Sequence, residues 1–250
     1  MTLHVREWGD EGAPTVVYLH GMTATGAQCR RLAVTRLHAF HVLAPDLRGH
    51  GESPKEPPWN LETIAHDVLT VAPASATWIG LSFGGRIALE IAARAPERIE
   101  KLVLLDPVPR LPPHVAYDMA EHTARARTYA TAEDAIRAQI PPDDDAVAEL
   151  RANLVDEDGA WRWRYSPAAA SAMLGELARP LPRPHPVPTL LITGRDSYYL
   201  LEEERDALER ALGAKLQSAS VAGGHGVLWE AFDEVADAVL GFLEDPRAQR

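Results

Sequence analysis

A mostly parallel, twisted β-sheet with helices on both faces and an inserted helical cap is the α/β architecture this sequence predicts, on three observations. Short β-rich apolar runs recur with helical patterns between them, which is the signature of parallel strands joined by crossover helices. That rhythm stops after Pro107 and resumes near Pro188. One run, Ala76-Thr77-Trp78-Ile79, leads through Gly80-Leu81-Ser82-Phe83-Gly84 into the helical pattern Arg86-Ile87-Ala88-Leu89-Glu90-Ile91, so a serine stands at the apex of a strand-turn-helix.

Taken in order, residues 3–8 form an antiparallel edge strand and 15–19, 41–44, 76–81, 101–105, 189–193 and 215–221 the remaining strands. Each is a short run rich in β-formers between turn residues. Helical spacing covers 28–37, 61–71, 83–94, 202–212 and 227–243. Between Pro107 and Pro188 no buried strand is evident, and amphipathic helices are expected around 114–140, 146–155 and 166–177. The core is therefore 1–106 with 189–250, and 107–188 is the cap with its connections. Proline-rich stretches at 107–113 and 180–188 bracket the cap, since proline continues neither a helix nor a central strand. Residues 244–250 read as a frayed polar tail.

Two hundred and fifty residues are ample for a sizeable core, and 46% hydrophobic with 24% charged residues suits a soluble globular enzyme. The net charge of −11 argues against nucleic acid and anionic membrane surfaces, both of which demand a positive face. No basic segment followed by an apolar core marks the N-terminus as a secretory signal, and no apolar stretch approaches the roughly 18 residues of a membrane span. Cys29 is the only cysteine, so no intrachain disulfide forms and the cytoplasm is the expected compartment. The expected partner is a small-molecule substrate; the oligomeric state stays open.

A serine on so tight a turn is pushed above the sheet edge, which makes Ser82 the candidate nucleophile. Gly80 and Gly84 remove side chains that would collide with the adjoining strand and helix. The turn aims the first amides of the following helix at the reaction site, so the Phe83 N–H can face a developing oxyanion. A serine hydroxyl needs a base to take its proton. His225, in Gly223-Gly224-His225-Gly226 after an apolar run, is the histidine on a glycine-flanked loop between the terminal strand and the last helix. Two aspartates follow strands at the same carboxyl edge: Asp196, in Gly194-Arg195-Asp196, and Asp106, after Lys101-Leu102-Val103-Leu104-Leu105.

The order Ser, Asp, His together with the elbow resembles the α/β-hydrolase family, serine-nucleophile branch. Leu19-His20-Gly21-Met22, Pro45-Asp46-Leu47-Arg48-Gly49-His50-Gly51-Glu52-Ser53 and Trp161-Arg162-Trp163-Arg164-Tyr165 are similar to family segments and span most of the core. The resemblance implies that Met22 N–H supplies the second oxyanion donor, that His20 holds its loop, and that Asp46 and Arg48 pair to fix a tight loop. It also favours Asp196 over Asp106 as the carboxylate behind His225, because the family usually places its acid on the turn after the later strand. A single glycine stands where some esterases carry a glycine run, which argues against bulky or tertiary-alcohol esters.

No histidine and carboxylate spacing resembles a zinc site, Asp143-Asp144-Asp145 lacks the glycine and terminal glutamate of a calcium loop, and no G-x-G-x-x-G opens a helix. Neither a metal nor a nicotinamide or flavin cofactor is expected. Asp143-Asp144-Asp145 reads as a solvated turn with a helix N-cap. His50, His66, His114, His122 and His185 read as surface or loop residues. Tyr198 and Leu200, close after Asp196, are the leading pocket candidates, with Trp163 and Trp229 beside them. The expected activity is hydrolysis of a small or medium carboxylic ester or lactone, with a largely apolar acyl part, through an acyl-enzyme. Carbon-carbon, thioester or amide hydrolysis, or a lyase reaction, remains open on the same fold. So does a catalytically silent ligand-binding receptor.

Overall fold

Alternate residues of the central strands separate into two hydrophobic clusters, one on each face of a sheet. In the computed structural model, which describes residues 2–125, 127–139 and 143–245, β1 (Val5–Trp8), β2 (Thr15–Leu19), β3 (His41–Pro45), β4 (Ala76–Leu81), β5 (Ile99–Leu105), β8 (Thr189–Gly194) and β9 (Leu216–Val221) form one seven-stranded sheet. Their order is β1-β3-β2-β4-β5-β8-β9. All pairings are parallel except that of β1 with β3, which is antiparallel. Val17, Trp78 and Leu102 pack with α2 (Leu61–Val71), α3 (Phe83–Arg94) and α8 (Glu202–Leu212). Val16, Ile79 and Val103 pack with α1 (Arg30–Thr35) and α10 (Phe232–Glu244) on the other side.

β4 and β8 are buried at every position, as strands covered on both faces must be. The bounds expected for β2, β4, α2, α3 and α8 are those observed. The helix expected over 227–243 is interrupted: α9 (Val227–Glu230) and α10 are separated by Ala231, which leaves the helical region at φ −139° and ψ 42°. Residues 28–37 likewise open as a 3₁₀ turn, Gly26–Cys29, before α1.

Between β5 and β8 lie α4 (Pro113–Ala124), α5 (Ala132–Arg137), α6 (Asp144–Ala152) and α7 (Pro167–Glu176). Asp143 caps α6, its carboxylate accepting from Ala146 N–H at 2.8 Å, as expected. The continuous helix expected over 114–140 is two helices, and Ile140 lies outside the described residues, as does the tail beyond Asp245. The segment also holds a hairpin, β6 (Leu154–Glu157) with β7 (Ala160–Trp163), so the helix expected over 146–155 ends at Ala152. Two hydrogen bonds, Gly51 N–H to the Arg164 carbonyl at 2.5 Å and Ser166 N–H to the Gly49 carbonyl at 2.7 Å, join the end of this hairpin to the loop after β3.

Arg86 ties the inserted segment to α3. It is buried, donates to Glu90 from Nε at 3.2 Å and Nη2 at 2.9 Å, and also donates to the carbonyls of Pro109 and, at 3.0 Å, Pro180. One guanidinium thus holds both proline-rich connections, where prolines leave carbonyls without neighbouring N–H groups to share. No described helix is long and apolar enough to cross a membrane.

Candidate active site

Ser82 sits between β4 and α3 with φ 55° and ψ −115°, a conformation that costs a non-glycine residue of the order of 1–3 kcal/mol and persists only where the surroundings impose it. Here they do: Ser82 N–H donates to the Leu105 carbonyl at 3.0 Å, and the Ser82 carbonyl accepts from Gly85 N–H at 3.0 Å and Val108 N–H at 3.1 Å. A Cβ on Gly80 would lie 2.6 Å from the Gly84 carbonyl oxygen, and one on Gly84 would overlap the Leu19 carbonyl. Both glycines are required by close backbone approach.

The strained turn lifts the Ser82 hydroxyl to His225, whose Nε2 lies 2.9 Å from Oγ. The other ring nitrogen, Nδ1, is 2.5 Å from Asp106 Oδ2. Asp106 is fully buried, and its carboxylate also accepts from Gly194 N–H at 3.0 Å and the Ser197 hydroxyl at 2.6 Å. Three donors converge on this carboxylate and fix its orientation. The Nδ1 proton is thereby held toward Asp106, leaving Nε2 to accept from Ser82. Tyr199 packs on the His225 ring at 4.3 Å between centroids, and its burial raises the phenol pKa.

Asp196 does not reach His225. It is exposed, and its backbone N–H donates to the Gly223 carbonyl at 2.9 Å. The sheet order explains the difference from expectation. β5 lies directly beside β4, and its first residue beyond the strand is Asp106, whereas Asp196 follows β8, one strand further away, and comes two residues after the strand's end. The residue from that loop that does approach is Ser197, through Asp106.

Met22 and Phe83 line one cavity with Ser82. The Met22 loop is fixed on either side: Gly21 N–H donates to Gln28 Oε1 at 3.0 Å, and Thr23 N–H to His50 Nε2 at 3.2 Å. His20 holds the same loop, as the sequence suggests, accepting from Leu47 N–H on Nε2 at 2.9 Å while Nδ1 donates to the Gly21 carbonyl at 2.8 Å. His50 corrects the sequence reading. It is buried, with Nδ1 donating to the Arg48 carbonyl at 3.1 Å. Burial lowers the His20 pKa to about 4 and that of His50 to about 3, and in each ring Nε2 faces an N–H donor, so both stay neutral.

Asp46 and Arg48 do not pair. Arg48 forms a two-pronged salt bridge with Asp67 of α2 at 2.6 and 2.9 Å, while Asp46 accepts from Gly26 N–H at 2.7 Å and Glu52 N–H at 3.0 Å. The loop is fixed by two separate carboxylates, one binding backbone and one binding guanidinium.

The cavity at Ser82 has a volume of about 350 Å³ and a largely apolar wall that includes Val108, Leu111, Met119, Leu174 and Leu177. A second lobe of about 450 Å³ has a largely polar wall, including Thr23, Arg127, Tyr129, Glu149 and Asn153. His225, Met22 and Trp229 face both lobes; Ser82 and Phe83 face only the first. Trp229 lines both lobes and Trp163 the second, whereas Tyr198 and Leu200 line neither. Tyr198 is 75% exposed and stacks on the outer side of Tyr199. Tyr199 takes the inward position between them.

The sequence profile of the alpha/beta hydrolase family matches residues 16–238. The chain belongs to this family. This hydrolase is similar to the lipase LipV of Mycobacterium tuberculosis (strain ATCC 25618 / H37Rv), with 33% identity covering 96% of this chain and 97% of the relative. It is similar as well to the esterase YbfF of Escherichia coli (strain K12), with 27% identity covering 92% and 93%. Among solved structures, E-2-(acetamidomethylene)succinate hydrolase superposes with a TM-score of 0.84 at 25% identity, covering 97% of this chain and 95% of that one.

Proposed function

We propose that the protein is a serine hydrolase that cleaves a carboxylic ester or lactone through an acyl-enzyme, with Ser82 as nucleophile, His225 as general base and Asp106 as the carboxylate that orients it. The observation that carries this is the unbroken hydrogen-bonded series from Ser82 Oγ through His225 to buried Asp106, opening on a cavity. The names of its relatives, a lipase and an esterase, support the ester reading.

In the reaction Ser82 Oγ attacks the carbonyl carbon as His225 Nε2 takes its proton, and Asp106 stabilises the imidazolium. The carbonyl oxygen gains charge, which Met22 and Phe83 N–H groups offset at the N-terminus of α3. Protonated His225 then donates to the departing alcohol oxygen. A water, deprotonated by the same ring, attacks the acyl carbon and restores Ser82. Every proton and charge is handled by these residues, so the step calls for no cofactor.

The two lobes fit the two halves of an ester. Ser82 and Phe83 line the apolar lobe, so the acyl chain lies there; the polar lobe meets His225 without Ser82, on the side where the alcohol leaves. Residues 107–188 act as the cap, supplying most of the polar wall and, with Val108, Leu111, Met119, Leu174 and Leu177, much of the apolar character of the first lobe. The buried lone cysteine, Cys29, agrees with work in a reducing compartment, the cytoplasm. The test is hydrolysis of a p-nitrophenyl ester series of increasing acyl length beside Ser82→Ala. Loss of the burst and of turnover in the variant supports the acyl-enzyme; wild type that is inert toward every ester while a fluorophosphonate still labels Ser82 overturns the ester reading.

A further inference from the structure

Glu149 is a half-buried carboxyl that the acyl-transfer steps do not use. It stands on α6, in the inserted segment, and faces the polar lobe. Its Oε2 accepts from Trp229 Nε1 at 2.9 Å, and the Gln28 side chain stands beside it on the same wall and works against the burial that raises its pKa. Gln28 Oε1 already receives Gly21 N–H at 3.0 Å and the Tyr18 hydroxyl at 3.2 Å, so it is the Gln28 NH₂ that turns to Glu149. Two chains of contact therefore meet at one carboxylate. One runs through Gln28 to the Gly21 peptide, next to the Met22 amide; the other runs to Trp229, four residues beyond His225 and bonded to the same loop by Trp229 N–H to the Gly226 carbonyl at 2.7 Å.

We propose that Glu149 is a positioning residue for the reaction, fixing from the inserted segment the two loops that carry the Met22 amide and the His225 imidazole. The inference rests on the acyl-transfer reading above. A carboxylate suits the task because it presents a separate oxygen to each of the two neutral donors; an amide of the same shape has one oxygen and turns its own NH₂ toward either the indole N–H or the Gln28 NH₂. Burial pushes the Glu149 pKa up to about 7, so holding a carboxyl here carries a cost that solvent exposure would remove.

The test exchanges the two groups. Glu149→Gln alone leaves one donor without an acceptor and lowers kcat about tenfold with KM within about twofold, less than the roughly 100-fold or more that follows outright loss of an oxyanion donor. The double variant Gln28→Glu with Glu149→Gln restores every bond: the amide oxygen now at position 149 would accept from Trp229, the amide NH₂ beside it would donate to the new carboxylate at position 28, and that carboxylate would accept from Gly21 and Tyr18. It regains kcat to within about threefold of wild type, because the geometry rather than the position of the charge matters. An unchanged kcat in Glu149→Gln, a change confined to KM, or a thermally stable double variant that stays slow each overturns the proposal. The rate of fluorophosphonate labelling at Ser82 is read in the same proteins. It should fall in the single variant and recover in the double one even if the ester reading fails, which keeps the two failures apart.

Discussion

The sheet and the segment inserted into it hold the site by different means. In the sheet, Ser82 and Asp106 each follow a strand directly, and their backbones are pinned by neighbouring strands: Ser82 N–H to Leu105, Asp106 N–H to Ile192. The inserted segment has a small cluster of its own, with Ala132, Ala135, Ile136, Leu150 and Leu154 buried; beyond its two backbone bonds to the loop after β3 it is tied to the core through side chains such as Arg86, Glu149 and Asn153, whose Nδ2 donates to the Thr23 carbonyl at 2.8 Å. Backbone ladders fix position to a fraction of an ångström, whereas side-chain bridges can be removed one at a time. Changes at the sheet edge should therefore cost far more rate than changes in the insert, which act on substrate preference and assembly and, through Glu149, more mildly on kcat.

The largest effect expected on the sheet side is that of Asp106→Asn, which keeps the shape but removes the charge that selects the His225 tautomer; kcat should fall by about 10⁴. Asp196→Ala, by contrast, should stay within about twofold, since its carboxyl is exposed and outside the series. Steady-state kinetics of the two variants side by side decide it. An inactive Asp196→Ala beside an active Asp106→Asn would reverse the assignment.

The joint between the regions gives the next largest effect. Arg86→Met removes the donor to the Pro109 and Pro180 carbonyls and leaves buried Glu90 to the exposed Arg94. Breaking such a buried pair from one side costs about 3 kcal/mol of stability. Denaturant unfolding at neutral pH measures it. A smaller change in the insert should alter selectivity alone: Met119→Trp fills part of the apolar lobe, and long acyl esters should lose about tenfold in kcat/KM while short ones keep theirs. The ratio of two ester chain lengths reports this without reference to enzyme concentration.

How far these features were legible in the sequence follows the same division. The elbow could be read with its bounds, because a buried run, two glycines and a helical repeat are contiguous. The acid could not be chosen from sequence. Asp106 and Asp196 both follow strands at the same edge, and only the pairing order, set by tertiary contacts, puts β5 beside β4. Arg48 lies two residues from Asp46, yet its true partner, Asp67, is on a helix that sequence spacing does not bring near. Tyr198 and Leu200 were off by one residue from Tyr199, a question of side-chain direction in an irregular loop. Glu149, Gln28 and Trp229 belong to no motif; their meeting depends on how the insert folds back, which periodicity does not encode.

The smallest effect sets the two regions against each other within one measurement. His20 and His50, in the core, have lowered pKa values, so the stability they contribute is present above the usual 6.5 and is lost as pH falls toward about 4 and 3. Glu149, in the insert, has a raised value, so its contribution is present below the usual 4.5 and is lost as pH rises through about 7. Between about pH 7 and pH 5 the histidines together remove up to about 4 kcal/mol and Glu149 returns up to about 2, leaving a net loss near 2 kcal/mol. Glu149→Gln takes away the opposing group, so its unfolding free energy should fall with acid far more steeply than that of wild type across the same interval. Parallel slopes would mean that the Glu149 carboxyl titrates alike in the folded and unfolded chain, and that the insert closes on it less tightly than its contacts with Trp229 and Gln28 imply.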